Sequence, residues 1–398
     1  MASKEGRQRG ENGSKRVPWF NSSRPLPFFL FFTLVLAQIP PVSAHGATAT
    51  GMITQSHGIL LGFIGVSVLG GAVILKRTNR ISPTVALYGV FAGIVVTALG
   101  AILFEGLASD PTYSARSMPF PRSWYDPLAV STGLLIAISS FLIGWLRWPT
   151  RPRYTFLGIL MGAWIAYPVL IPGISGNSHP LGYAIVLGTP LAVGYILWKD
   201  AGTVLRAVLR DPVARRFGIG VGIVLAFFFL TVTGYLSFLP EEGLPHERTI
   251  IVLPVIYQLV MWPTLEIALP HIPFFLAISP GQIIIVGLLS TLIGLNAALI
   301  ARQWRVEQRA GMTEGTVGSA AIVGSCTCGC CGPLVAKIAV LAAGPSIAAP
   351  LYWVFVDTAS PLSALFIIGS IILFTGSLVY SVEAARQPDR PTSIIPAD

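Results

Sequence analysis

Charge is what this sequence has least of. Asp, Glu, Lys and Arg together make up 11% of its 398 residues, whereas soluble globular chains carry about 25%. That excludes a soluble domain, whose surface needs far more charge. Acidic side chains are the scarcer sign, 17 against 26 Lys and Arg, for a net charge of +9. Histidine is rare, at five. No nucleotide-binding loop, zinc-protease helix or serine-hydrolase elbow appears, so transport driven by ATP would need another subunit. No linker, low-complexity stretch or short repeat divides the chain, which reads as one membrane domain.

Apolar residues are abundant, at 53%, and they come in runs. Ile59–Leu75, Val85–Leu107, Leu128–Leu146, Leu181–Trp198, Phe217–Leu239, Ile283–Ile300 and Leu362–Tyr380 hold almost no ionisable side chain. A bilayer core about 30 Å thick takes roughly 20 such residues per helix, and the backbone there must bond to itself. The expected class is an all-α polytopic membrane protein, with about nine or ten transmembrane helices following a signal peptide.

The leader, residues 1–44, combines Lys4, Arg7, Arg9, Lys15, Arg16 and Arg24 with a short apolar core, Leu26–Ile39. Val42 and Ala44 fit the small-residue cleavage rule. Cleavage after Ala44 would start the mature chain at His45, outside the membrane. Residues 45–315 then form a polytopic body, 316–386 a cysteine-rich helical hairpin and 387–398 a cytoplasmic tail.

The positive charge follows topology rather than nucleic-acid binding. Lys76, Arg77 and Arg80 follow the first span, Arg147, Arg151 and Arg153 the third, and Lys199, Arg206, Arg210, Arg215 and Arg216 the fifth. The loops between are poorer in Lys and Arg, which is the positive-inside pattern of a multi-pass plasma-membrane protein. Thr249–Pro280 interrupts it. This apolar segment contains Pro254, Pro263, Pro270, Pro273 and Pro280, with Glu266 and His271 among them. Proline removes a helix donor, so a broken or re-entrant segment returning to the outer side is expected. The alternative is an irregular outer loop. The return would leave Arg302, Arg305, Arg309 and the C-terminus cytoplasmic.

Chemistry concentrates at one place. All four cysteines fall within Cys326-Thr327-Cys328-Gly329-Cys330-Cys331, ahead of Gly332-Pro333-Leu334. At 100° per residue Cys326 and Cys330 share one helix face and Cys328 and Cys331 another. A backbone opened by the glycines and proline would let the sulfurs converge on one ion. Lys337 lies in the stripe of Cys326 and Cys330, and a nearby ammonium favours the thiolate, which is both metal ligand and nucleophile.

This stretch resembles the vicinal-cysteine first helix of mercuric transport membrane proteins. Cys330 and Cys331 match that family's pair, and Gly332-Pro333-Leu334 its following turn. The resemblance covers about residues 316–386, with Leu362–Tyr380 as the second helix. It implies a thiophilic cargo such as Hg(II), and Cu(I) suits thiolate ligands equally. The family's pattern lacks Cys326 and Cys328, and also the large helical body upstream.

On the expected topology every histidine (His45, His57, His179, His246 and His271) lies outside, near Met52, Met118 and Met261. Imidazole and thioether both suit copper, so His45 and His57 are candidate ligands. His179, His271, Glu266 and Asp357 are candidate pathway residues, Asp357 beside the mouth of the cysteine helix. Three function classes follow. One is a soft-metal carrier working with membrane lipid and an extracytoplasmic metal carrier. The second is a structural or metal-binding subunit of a larger respiratory or monooxygenase-type complex. The third is a thiol–disulfide redox protein, since Cys328 and Cys331 have the Cys-x-x-Cys spacing.

Overall fold

The computed structural model describes residues 55–107, 121–238, 248–269, 274–310, 350 and 361–386. The leader, His45 and the 387–398 tail lie outside them. Nine α-helices of nine or more residues are described: α1 (Gln55–Arg77), α2 (Pro83–Leu107), α3 (Tyr125–Arg147), α4 (Pro152–Leu170), α5 (Pro180–Ile196), α6 (Gly202–Arg210), α7 (Pro212–Val232), α8 (Pro280–Ala310) and α9 (Pro361–Arg386). A π-helical turn, Leu197–Ala201, joins α5 to α6 in one rod. Counting that rod once, eight helices among the described residues are long and apolar enough to cross a membrane. The chain is a polytopic helical membrane protein.

Local sequence sets the helix starts. Proline opens α4, α5 and α7, where its missing N–H costs nothing. Asp211 caps α7, its Oδ1 accepting from the N–H groups of Val213 and Ala214. Neighbouring helices approach through glycine. A Cβ on Gly218 of α7 would meet the carbonyl oxygen of Gly294 on α8 at 2.5 Å. One on Gly65 of α1 would meet the backbone N of Thr97 on α2 at 2.4 Å. Small residues let backbones touch where lipid supplies no hydrophobic drive. Large apolar side chains such as Phe63, Leu135, Leu146 and Leu191 stay exposed on the bundle surface, as lipid-facing positions do.

The proline-rich segment is neither a broken helix nor an irregular loop. It folds into an antiparallel sheet of β1 (Leu236–Ser237), β2 (Thr249–Tyr257), β3 (Val260–Leu269) and β4 (Phe274–Ile278), in the order β1-β4-β3-β2. β-branched residues dominate β2 and favour the strand. Pro254 and Pro263 stand opposite each other in the register. Neither can donate, so this rung is of the non-hydrogen-bonded kind, and its backbone groups point away from the partner strand.

The expected return to the same end is present. Gly218 meets Gly294 and Ala298, whereas Gly222, one turn on, meets Ser290. Therefore α7 and α8 are antiparallel, and the sheet between them leaves and re-enters the bundle at one end. There its inner face packs on α5 and α8, where Trp262 meets the Tyr183 ring and Gly281. Tyr183 of α5 donates to the carbonyl of Met261, and Val260 occupies the space a side chain at Gly182 would need.

Candidate functional site

The opposite end of the bundle gathers the basic residues. Leu87, Ala201, Leu205, Ala214, Ala298, Leu299, Leu378 and Val382 form one buried cluster there, joining the start of α2, the α5–α6 rod, the start of α7 and the last turns of α8 and α9. Lys76 lies 4.9 Å from the ring centre of Trp304, which ties the end of α1 to the end of α8. The clusters after α1, α3 and α5 and at the end of α8 therefore share one end, as the charge alternation predicts.

Three carboxylates sit among these cations, each paired with an arginine. Asp200 is buried in the π-helical turn. Arg153 grips it with two nitrogens, Nε donating to Oδ2 at 2.7 Å and the terminal nitrogen to Oδ1. Tyr154 donates its hydroxyl to the same Oδ2 at 2.8 Å. Arg151 reaches back to the Tyr154 hydroxyl at 3.4 Å and pairs with Glu383 at the end of α9. The Glu383 hydrogen bond raises the Arg151 guanidinium pKa further, so Arg151 stays charged at any relevant pH. Arg305 of α8 pairs with Asp211, the cap of α7, at 2.5 Å. Together these pairs clamp α4 to α5 and α9, and α7 to α8. Widened π turns recur at functional positions because they re-aim side chains, and here the turn brings Asp200 to Arg153.

Helices α8 and α9 run parallel. Asn296 donates to the carbonyl of Phe374 at 3.2 Å, and the later Leu299, Leu378 and Val382 meet in the basic-end cluster. Ala310 therefore lies at the basic end, and Pro361, which opens the 26-residue α9, lies at the other. The residues that join them carry all four cysteines.

The other expected site residues are scattered. His57 is exposed on the first turn of α1. His179 caps α5, its Nδ1 accepting from the N–H of Leu181 at 3.2 Å, so that nitrogen serves the helix start. Glu266 is half-buried on β3, between Ile251 and Ala277 on the neighbouring strands, rather than within a membrane-spanning helix. Among the described residues no three His, Cys, Asp or Glu side chains are grouped to hold a metal. Cys326, Cys328, Cys330, Cys331, Lys337, Asp357, His45 and His271 lie outside the described residues. The arginine–carboxylate clamp was missed from the sequence. Its signal was an acid, Asp200, directly after Lys199 in a basic helix end.

Compared with known protein families, curated proteins and solved structures, the chain shows no match.

Proposed function

We propose that this protein carries a soft metal ion across the membrane on the thiolates of Cys326, Cys328, Cys330 and Cys331. One observation carries the reading: four thiols within six residues, in the interval that connects opposite ends of a membrane bundle. The resemblance to the mercuric transport proteins supports a thiophilic cargo of the Hg(II) or Cu(I) class. The positive-inside rule makes the basic end cytoplasmic and the sheet end extracytoplasmic, in a plasma membrane. Asp357 would attract a cation at the mouth, Lys337 would favour the thiolates, and an extracytoplasmic carrier would deliver the ion past His45 and His57.

Binding displaces thiol protons, so affinity should rise with pH through the thiol range, about pH 8.5 for an unperturbed cysteine. The test is Hg(II) or Cu(I) titration of the purified protein at several pH values, with proton release recorded. Changing both Cys330 and Cys331 to Ser should abolish tight binding, and either Cys326→Ser or Cys328→Ser should weaken it. Unchanged binding in the double variant would overturn the proposal.

The Cys328–Cys331 spacing favours a second reading, thiol–disulfide exchange. There the two thiols would lose two electrons and two protons to a quinone or disulfide partner, and Cys330 would be dispensable.

A further inference from the structure

The sheet at the end opposite the arginines presents an apolar outward face, independent of the thiol chemistry. Register separates its two faces, and burial does so on β3; the edge strand β2 is exposed on both, with Ile251 and Leu253 of the inner face 40% and 42% exposed. Val260, Trp262, Thr264 and Ala268 on β3 are buried against the bundle. Their neighbours in sequence therefore point the other way. The outward face is built from Ile250, Val252, Pro254 and Ile256 of β2, with Pro263, Leu265 and Ile267 of β3 and Phe274, Leu276 and Ile278 of β4 as their same-face partners. None of these side chains carries a charge or a hydrogen-bonding group. Ile250 is 54% exposed, Val252 64% and Ile256 51%. Apolar patches of this kind mark protein or membrane contacts.

Three observations favour lipid. The face is continuous with a lipid-facing stripe on a spanning helix. Ile219, Ile223 and Phe227 are exposed one turn apart on α7. Phe227 stacks on Phe238 with ring centres 5.9 Å apart, and Phe238 meets Phe274 at 5.8 Å. These aromatic contacts thus link the stripe on the helix to the sheet. Second, protein interfaces carry roughly one hydrogen bond per 100–200 Å² and a polar rim, and this face offers no side chain to make one. Third, the outer edge is unsuited to accepting another strand. The backbone groups at Pro254 point outward, and Pro254 has no N–H to give, a device that blunts edge pairing. The outward N–H groups of Ile250, Val252 and Ile256 have no strand beside them among the described residues, and hydrocarbon cannot supply partners. Headgroups and interfacial water can, and the exposed Arg248 at the head of β2 is placed for a lipid phosphate.

We propose that the outward face of the β2–β3–β4 sheet lies on the bilayer, seated at the acyl–headgroup boundary of the leaflet at the sheet end. It would fix the depth of the bundle as an amphipathic interfacial element does.

The test uses the full chain, with its cysteines intact, in phosphatidylcholine–phosphatidylglycerol vesicles. A photoreactive benzoylphenylalanine is placed at Val252 in one variant and at Ile256 in another, and each is irradiated and weighed intact. The expected product is protein plus one phospholipid, from whichever variant elutes as a folded, monodisperse species. A protein–protein adduct, whether with a second copy or another chain, would overturn the proposal. So would the absence of lipid adducts from a folded variant, the outcome for a face in water.

Discussion

Arg153 and Asp200 meet in a two-pronged ion pair between the first turn of α4 and the π-helical turn after α5. Both are mostly buried, with 20% and 7% of their side chains exposed, and the Tyr154 hydroxyl completes the set of donors to the carboxylate. A charge withdrawn from water this far is costly once its partner is gone.

Asp200→Ala should therefore destabilise the folded protein by about 3–5 kcal/mol, because it strands Arg153 in a buried place. The double variant Arg153→Met/Asp200→Leu should recover much of that loss, since an apolar pair leaves no charge unpaired. Thermal unfolding in detergent, followed by circular dichroism, measures both. Equal losses in the single and double variants would show that packing, not the ion pair, holds the joint.

At the other end, Trp262 fills the space beside Gly281. A Cβ there would stand 2.4 Å from the indole nitrogen. Gly281→Ala should cost about 1–3 kcal/mol by overpacking. Adding Trp262→Leu, which removes the obstructing ring, should make the alanine harmless in that background. A non-additive pair of melting temperatures would establish the contact, and simple additivity would refute it.

The α7–α8 contact offers a sharper contrast. Gly294→Val drives a branched side chain into the Gly218 carbonyl, only 2.7 Å from the first added carbon, and should impair assembly of the bundle. Gly369→Ala on α9 meets nothing within 4 Å. It should be neutral, or stabilising by less than about 1 kcal/mol through helix propensity. Yield of monodisperse protein distinguishes the two.

Topology is testable at Gln308, near the end of α8. In a background with the four native cysteines changed to serine, Gln308→Cys should react with an impermeant maleimide only from the cytoplasmic side. An Arg248→Cys variant should react only from outside. Reversed labelling would turn the assigned direction of transport around.

The spans were legible because their signal is redundant: runs such as Val85–Leu107 have no polar face to misread. The common end of the basic clusters was legible for the same reason, since charge alternation and helix reversal report one geometry. The sheet was not. Prolines spaced along Thr249–Pro280 argue against a helix, but they do not say what replaces it. The answer lay in a tight hairpin at Gln258-Leu259, where Gln258 takes a positive φ without the Gly or Asn that usually signals such a turn, and it sets Pro254 opposite Pro263. The clamp was hidden likewise, because Arg151, Arg153, Asp200 and Glu383 come from three separated segments. Read singly, each looks like an ordinary loop charge. The cysteine cluster is a reading from sequence alone; the parallel course of α8 and α9 places only the two ends of the interval that holds it.

Metal uptake into sealed vesicles tests the central claim most directly. Vesicles carrying the intact protein, oriented with the sheet end outward, are given Hg(II) or Cu(I) outside, and the metal trapped within is counted. Thiolate transport predicts uptake above that of empty vesicles, lost when Cys330 and Cys331 are both changed to Ser while the protein remains folded. Equal uptake by the intact and double-serine proteins, alongside a Cys328–Cys331 disulfide that cycles with a quinone or thiol partner, would contradict transport and leave redox exchange in its place.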